Sequence, residues 1–219
     1  MSSMIPNLEK LNRKERFFLV STALGGGTFK LGLSFRDTLR RQFSLEIPDD
    51  AFVAMDYHLN WIFAAAALAF AEPVHDSIYD NKSGTYDGTQ EDIDLLVAFE
   101  DISGLDHIIM LEAKGVGAYD NEQFAHKMER FRSIFGENGC RFAKVRPHFG
   151  LISPHEPKQL RTDLCPSWLK LNGQIPWLPM QIPERLALFG CDYHGKRDKK
   201  REFWTLRREQ VRRTQPHQY

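Results

Sequence analysis

Two apolar segments near the middle of the chain have the length and composition of buried β-strands. They cover residues 92 to 99 and 107 to 114, and both are rich in Ile, Leu or Val, with little of the polar alternation of a half-exposed strand. The segment between them contains Gly104 and predicts a turn. We therefore expect a central antiparallel hairpin in which the numbers of paired residues sum to about 206.

Other patterns predict helices and strands on both sides of this hairpin. Residues 48 to 72 predict a deeply buried helix, because Asp49 or Asp50 can cap it, alanines fill it and Pro73 ends it. The remaining predicted elements are helices over residues 7 to 24, 34 to 44 and 119 to 135, a strand over residues 146 to 154, and two strands around a basic turn between residues 185 and 208. This mixture of helices and strands predicts an α/β protein.

The chain has 219 residues, which is enough for one domain with a sizeable core. Its polar N-terminus lacks the apolar segment of a signal peptide, and its longest apolar run, residues 61 to 71, is shorter than the roughly 20 residues of a membrane-spanning helix. Cys140, Cys165 and Cys191 are widely spaced and odd in number, which argues against a disulfide framework. We expect a soluble, cytoplasmic protein without a membrane partner.

The formal net charge of zero conceals an uneven distribution of charge. Residues 195 to 213 contain nine Lys or Arg and three acids, so 20 basic and 26 acidic side chains remain elsewhere. The basic turn in this segment is formed by Lys196, Arg197, Lys199, Lys200 and Arg201. Two interpretations stay open: a solvated turn, which is how most charge runs end, or a hairpin tip that binds the phosphates of a polyanionic partner.

Charged residues stand in the two most apolar strands, where an unpaired charge is costly to bury. With the expected register, Asp94 lies opposite Glu112 and Asp92 opposite Lys114, and alternation of side chains places Glu112 and Lys114 on one face. Two neighbouring carboxylates repel each other unless a cation lies between them. Mg²⁺ prefers oxygen ligands and retains water, and a nearby lysine can hold a nucleophilic water against a phosphate. The spacing predicts a site for phosphodiester hydrolysis.

The acid in DIDLLV and the Glu-Ala-Lys of MLEAKG resemble the motif of the PD-(D/E)XK, or restriction-endonuclease-like, nuclease superfamily. The resemblance covers about the middle half of the chain. It implies an αβββαβ core, a mixed sheet flanked by helices, with the acid and the E-x-K on adjacent strands. We expect this core over residues 48 to 154, an N-terminal helical extension over 1 to 45 and a C-terminal extension with the basic β-hairpin over 155 to 219, all within one domain.

The resemblance also implies roles for the residues of the motif. Asp94, Glu112 and the carbonyl of Ala113 would hold Mg²⁺, for which Mn²⁺ can substitute. Lys114 would position the attacking water.

Two further residues are implied as support for this site. Many members of the superfamily add an acid from the first core helix, and Asp56 is the matching residue; its alternative role is to complement the positive end of that helix. Some members carry a glutamine in the helix after E-x-K, which Gln123 matches. In those members a tyrosine follows four residues later, whereas this chain has Lys127.

The expected function is therefore a Mg²⁺-dependent endonuclease that hydrolyses DNA, with RNA as another candidate substrate. A homodimer would suit cleavage of two strands. Two alternatives stay open. One is a catalytically inactive nucleic-acid-binding or assembly module of the same fold, and the other is an α/β protein in which Asp94, Glu112 and Lys114 form a structural ion network.

Overall fold

The computed structural model describes residues 3–11, 19, 22–23, 29–89, 91–115, 118–182 and 185–209 of the chain. Its helices are α1 (Ile5–Leu11), α2 (Leu33–Phe43), α3 (Leu59–Phe70) and α4 (Asn121–Phe135). Its strands are β1 (Phe52–His58), β2 (Asp92–Glu100), β3 (Asp106–Ala113), β4 (Val145–Ser153), β5 (Trp177–Pro179), β6 (Arg185–Cys191) and β7 (Phe203–Glu209). Much of the helix predicted over residues 7 to 24 lies outside the described residues.

A mixed five-stranded sheet in the order β1-β2-β3-β4-β5 forms the centre of the fold. Neighbours among β1, β2 and β3 are antiparallel, whereas β4 runs parallel to β3 and β5 runs parallel to β4. The connection from β3 to β4 contains α4, because two parallel neighbours need a crossover rather than a tight turn. The predicted α/β class, a mixed sheet flanked by helices, is confirmed.

The central hairpin has the predicted register. The paired residues of β2 and β3, from Leu95 with Leu111 to Glu100 with Asp106, all have numbers that sum to 206. Gly104 in the turn has a φ of 77°, a left-handed conformation that glycine adopts without a steric penalty. The local turn signal and the apolar pattern therefore agree on one pairing.

The helix predicted over residues 48 to 72 is wrong in its first half. Residues Phe52–His58 form β1, which pairs with β2, and the helix begins only at Leu59. Its N-cap is His58, rather than either predicted aspartate. Phe, Val and Tyr favour strands, and a long apolar run does not separate a strand from a helix by periodicity. The resulting helix, α3, has 12 residues, and no helix in the described ranges is long and apolar enough to cross a membrane.

Helices cover both faces of the sheet. On one face, buried side chains of α1, α3 and α4 form a cluster with Ile108 and Met110 of β3. On the opposite face, α2 packs in a second cluster with Ile109 and Leu111. The strict alternation along β3 places the following even-numbered residue, Glu112, on the face covered by α4. The division of the chain into a core and two extensions stays a prediction.

A separate two-stranded antiparallel sheet is formed by β6 and β7. It is the β-hairpin predicted near the C-terminus, with the basic turn between its two strands. Its register pairs Leu188 with Leu206 and Gly190 with Trp204. This hairpin carries the most basic part of the chain.

Candidate active site

Three acidic residues occupy one row across β1, β2 and β3. Asp56 and Asp94 lie between the pairs Met55–Leu95 and Tyr57–Ile93 of β1 and β2, and Asp94 and Glu112 lie one residue beyond Leu95–Leu111, the last pair of β2 with β3. Lys114 directly follows the last residue of β3. The predicted alignment of Asp94 with Glu112 follows if this register continues by one residue, whereas the paired ladder itself ends at Leu95 and Leu111.

Asp94 contacts the backbone at the end of β3. Its Oδ2 accepts a hydrogen bond of 2.6 Å from the N–H of Ala113, the residue between Glu112 and Lys114. The acid of β2 therefore fixes the position of the E-x-K segment directly.

Asp56 lies on a strand and not on the first core helix, where it was predicted. It has a φ of 46° within β1, a left-handed conformation that is unusual in a strand. Aspartate, asparagine and glycine adopt this conformation more readily than other residues. The backbone conformation alone therefore favours aspartate at position 56, in addition to any role of its carboxylate beside Asp94.

The carboxylate of Glu112 forms an ion pair with Lys127 of α4. The Lys127 Nζ also donates a hydrogen bond of 2.9 Å to the carbonyl oxygen of Asp92. The side chains of Lys127 and Glu112 are 11% and 25% exposed. The sequence predicts that the carboxylates of Asp94 and Glu112 need a cation between them. Lys127 supplies part of that positive charge from the chain itself.

Burial raises the pKa of the Glu112 carboxyl above its ordinary value, even though the ion pair with Lys127 acts in the opposite direction. The nearby charge of Asp94 adds to the rise. Burial also raises the pKa of Glu91, again against the charge of Lys127. Both acids would therefore gain from a further cation in their surroundings.

Glu112 and Lys114 line a pocket of about 580 Å³ between the sheet and α4. Gln123 of α4 lines the same pocket, so the structure brings together three of the predicted site residues. Asp94 and Asp56 are not among the lining residues. The other acids of the wall are Asp87, Glu91, Asp92, Asp120 and Glu129. The pocket is therefore strongly acidic, with Lys114, Lys127 and Arg130 as its main positive charges.

The start of α4 is fixed to the end of β3 by two neighbouring residues. The Asp120 side chain caps the helix and accepts a hydrogen bond of 2.9 Å from the N–H of Gln123. The Tyr119 hydroxyl lies 3.1 Å from the carbonyl oxygen of Glu112 and 2.9 Å from that of Ile152. Burial raises the pKa of Tyr119 to about 12, so the hydroxyl stays protonated and can donate. The backbone at Glu112 is thereby held in place.

The loop before β2 forms another side of the pocket and is held by Arg130. This residue forms an ion pair of 3.2 Å with Asp87 and donates to the carbonyl oxygen of Thr85 and to Oδ1 of Asn60, both at 2.7 Å. Desolvation acts to raise the pKa of Asp87, but hydrogen bonds from Thr89 and the charge of Arg130 keep it below its ordinary value. Asn60 Nδ2 also donates a hydrogen bond of 2.7 Å to the carbonyl oxygen of Asp87, so Asn60 is a second anchor of this loop.

The donor atoms at the end of β3 fit Mg²⁺ in their chemistry. Asp94, Glu112 and the carbonyl of Ala113 offer oxygen ligands, which this ion prefers. Among the described residues, the hydrogen bonds of the two carboxylates use Oδ2 of Asp94 and Oε2 of Glu112. The same residues contain no group of three His, Cys, Asp or Glu that could hold a metal ion. A bound Mg²⁺ would therefore complete its ligands with the carbonyl and with water, as it commonly does.

The predicted phosphate-binding residues are exposed at the tip of the β6–β7 hairpin; they are Lys196, Arg197, Lys199, Lys200 and Arg201. Exposure agrees with both interpretations of this segment, a solvated turn and a binding tip.

Lys127 and Tyr119 are the contacts that the sequence argument missed. Lys127 had a usable signal, because it lies three residues after Phe124 and beside Met128 on the apolar face of α4. A lysine on such a face needs a buried acid as its partner. Tyr119 gave no comparable signal, since it lies in a loop and its partners are backbone carbonyls brought near by the fold.

Comparison with known proteins gives no further guide to this site. No family model matches the chain, and no curated protein or solved structure is detectably similar to it. The function is therefore argued from the geometry and chemistry of the site.

Proposed function

We propose that this chain is a metal-dependent nuclease of the PD-(D/E)XK type that hydrolyses phosphodiester bonds, most readily those of DNA. The observation that carries the proposal is the hydrogen bond from the Ala113 N–H to the Asp94 carboxylate, which joins this acid to the segment that bears Glu112 and Lys114 at the pocket. The chain order α2-β1-β2-β3-α4-β4 supports it, because it follows the αβββαβ arrangement of that superfamily with α3 added between β1 and β2.

Lys114 is the residue that we assign to the nucleophile. It lines the pocket beside Glu112, and an ammonium group donates hydrogen bonds but cannot bind a metal ion. It can therefore hold and orient a water molecule for attack on a phosphorus atom. Mg²⁺ held by Asp94, Glu112 and the Ala113 carbonyl would stabilise the negative charge that develops on the phosphoryl oxygens.

Lys127 and Tyr119 act as positioning residues in this proposal. The ion pair with Lys127 favours the ionised form of Glu112, which a metal ligand must have. The Tyr119 hydroxyl holds the backbone of the same residue. Neither side chain needs to touch the substrate for this role.

The acidic wall gives an independent reason for a metal ion. Glu112 and five further acids line the pocket, and they would repel the phosphate of an approaching substrate. A bound Mg²⁺ would offset most of the excess of these acids over Lys114, Lys127 and Arg130, and would so weaken the repulsion of a phosphodiester. The proposed reaction thus depends on the metal for binding as well as for chemistry.

Incubation with labelled duplex, branched and single-stranded DNA and with RNA, in Mg²⁺, Mn²⁺ or EDTA, tests the proposal. We expect cleavage of at least one DNA form with either metal and none in EDTA. Glu112→Gln should be inactive under all conditions. Cleavage in EDTA, or wild-type cleavage by this variant, would contradict the proposal.

The ion pair between Lys127 and Glu112 favours a second candidate, a non-catalytic α/β protein with a structural ion network. In that case the buried lysine alone would balance the acids at the end of β3. Direct measurement of Mn²⁺ binding by electron paramagnetic resonance separates the two candidates. The nuclease site should bind Mn²⁺ and lose it in Asp94→Asn, whereas the ion network should bind none at this place.

A further inference from the structure

One face of the β6–β7 hairpin is apolar and exposed. Residues that are directly opposite in an antiparallel pair share a face, and the register pairs Leu188 with Leu206 and Gly190 with Trp204. The side chains of Leu188, Trp204 and Leu206 are 66%, 69% and 51% exposed. A group of exposed apolar side chains that includes a tryptophan is typical of a binding surface.

Arg201 lies on the same face beside Trp204. A Cβ added to Gly190 would lie 2.5 Å from the Cγ of Arg201, so the arginine stem crosses the strand at the position opposite Trp204. Glycine at position 190 is what permits this close approach. The surface therefore combines an exposed indole ring with a neighbouring guanidinium group.

The opposite face of the hairpin is engaged within the hairpin itself. Cys191 is 2% exposed, and the guanidinium of Arg197 lies 5.4 Å from the centre of the Phe189 ring. Tyr193 and Phe203 form an edge-to-face contact with their ring centres 5.9 Å apart. Tyr193 and Phe203 are exposed as well, but their rings are partnered with each other, whereas Trp204 has no ring contact among the described residues.

We propose that the face formed by Leu188, Arg201, Trp204 and Leu206 binds unpaired bases of a nucleic-acid strand. A base would stack on Trp204, and Arg201 with the other basic residues of the tip would bind the adjacent phosphates. Aromatic rings interleaved with positive charge are what single-stranded nucleic acids require, because every base offers a flat face and every linkage a negative charge.

This inference rests on the proposed function for the conclusion that the polyanion is a nucleic acid. It adds that the bound strand is unpaired. A substrate with an unpaired segment, rather than a fully paired duplex, suits the surface. Other arginines compete less well for phosphates: Arg36 of α2 is paired with Asp49, and Arg40 is paired with Asp37 and Glu46.

A second copy of the chain is a less suitable occupant of this face. The three apolar side chains, even if fully covered, fall short of the roughly 800 Å² that each partner buries in a stable protein interface. Dense positive charge at the adjoining tip would also repel an identical tip if two hairpins met face to face.

Binding without cleavage tests the proposal. The full chain carrying Glu112→Gln is titrated in EDTA against four labelled probes: single-stranded DNA, RNA of the same sequence, the DNA duplex, and an abasic oligomer with the same number of phosphates. We expect the single strands to bind more tightly than both the duplex and the abasic oligomer. The stronger of the DNA and RNA probes identifies the polymer.

Trp204→Ala should weaken binding of the single strands by a factor of roughly 5 to 150, the usual contribution of one stacked base, and leave the abasic oligomer unchanged. Trp204→Phe should retain most of the affinity, because it keeps an aromatic ring. Ile102→Ala, which removes an exposed apolar side chain from the β2–β3 turn, is the matched control and should change nothing. Thermal unfolding of each variant checks that the chain is folded.

Equal binding of single-stranded and abasic probes would overturn this inference, as would a loss in Trp204→Ala that is the same for both. A dimer in sedimentation that Trp204→Ala dissociates would assign the face to a second copy and overturn it as well. The outcomes stay separate from those of the proposed function. If only the nuclease proposal fails, the wild-type chain binds through Trp204 without cleaving; if only this inference fails, it cleaves without Trp204-dependent binding.

Discussion

Lys127 of α4 forms an ion pair with Glu112 at the end of β3, within the wall of the acidic pocket. The pair is largely buried, and burial still raises the pKa of the Glu112 carboxyl. Breaking such a pair by removing one partner costs more than replacing both, because the remaining charge is left without compensation. In the structural ion network, Lys127 alone balances the acids at the end of β3. In the nuclease, a metal ion supplies the rest of the positive charge.

Lys127→Met should destabilise the metal-free protein by about 2 kcal/mol, less than for a fully buried pair because Glu112 is 25% exposed. The double variant Glu112→Gln with Lys127→Met should recover most of that loss. Urea unfolding in EDTA measures both. Additive losses in the double variant would show that the two side chains do not act as a pair.

Millimolar Mg²⁺ should stabilise the wild type more than it stabilises Lys127→Met. If Glu112 is a metal ligand, the ion pair with Lys127 keeps its carboxylate ionised for the metal, and binding to the folded state alone stabilises that state. Unfolding with and without Mg²⁺ measures this difference. No change on addition of Mg²⁺ in either protein would favour the structural ion network.

Lys114→Met should reduce cleavage by about two orders of magnitude or more, because it removes the group assigned to orient the nucleophile. Mn²⁺ binding and stability should remain close to those of the wild type, since Lys114 is not a metal ligand. Lys158→Met, an exposed lysine in the loop after β4, is the control. Full activity of the Lys114 variant would refute its assigned role.

Asp56→Gly should leave stability unchanged or slightly higher, because glycine adopts the φ of 46° without strain. Asp56→Ala should be less stable by about 1 kcal/mol, the usual cost of a left-handed conformation for alanine. Both substitutions should weaken Mn²⁺ binding if the acid supports the metal site. Unchanged Mn²⁺ affinity in Asp56→Gly would leave Asp56 with a backbone role alone.

The central hairpin could be predicted because local signals and the apolar pattern agree there. The turn at Gly104 sets one register, and continuing it by one residue beyond the pair Leu95–Leu111 brings Glu112 across from Asp94. The helix over residues 48 to 72 failed for the opposite reason. Its first half is apolar on both sides, so only the tertiary pairing of Phe52–His58 with β2 decides that it is a strand.

Side-chain partners at the site depend on how α4 lies on the sheet, which a single sequence does not specify. The position of Lys127 on the apolar face of α4 signalled a buried acid but not which one. The hydrogen bond from the Ala113 N–H to Asp94 depends on the exact position of β3 relative to β2, which no sequence pattern indicated. The placement of Asp94 and Glu112 on neighbouring strands was thus predictable, whereas the strand position of Asp56 and the side-chain contacts of the site were not.

A second buried network predicts how stability depends on pH. His107 Nδ1 lies 3.0 Å from His148 Nε2, and His107 Nε2 lies 3.2 Å from the Asp101 carboxylate, at the opposite end of β3 from Glu112. Burial, together with the charges of His107 and Arg146, lowers the pKa of His148 to about 4. The folded protein therefore holds His148 neutral.

A histidine with a lowered pKa contributes stability that is complete above its unfolded value of about 6.5 and is lost as the pH falls towards 4. We expect up to about 3 kcal/mol of acid destabilisation from this residue. His148→Phe should flatten the dependence of the unfolding free energy on pH between these values, while the exposed His155→Gln should leave it as in the wild type. An unaltered slope in His148→Phe would contradict a neutral buried histidine.

Replacement of Lys196, Arg197, Lys199, Lys200 and Arg201 by Gln tests whether the hairpin tip binds phosphates. All five side chains are exposed, and the rest of the chain has more acids than bases, so the tip is the main source of attraction for a polyanion. Each phosphate contact releases counterions from DNA, so its loss makes the plot of log affinity against log salt shallower by up to about one unit. The variant should therefore bind DNA more weakly at low salt and with a smaller salt slope.

Cleavage at saturating DNA should persist, because the substitutions leave Glu112 and Lys114 untouched. Lys82→Gln with Lys158→Gln, two exposed lysines outside the hairpin, should preserve both affinity and slope. If the quintuple variant matches this control in both quantities, the tip is a solvated turn, and the phosphates of the substrate must contact another surface.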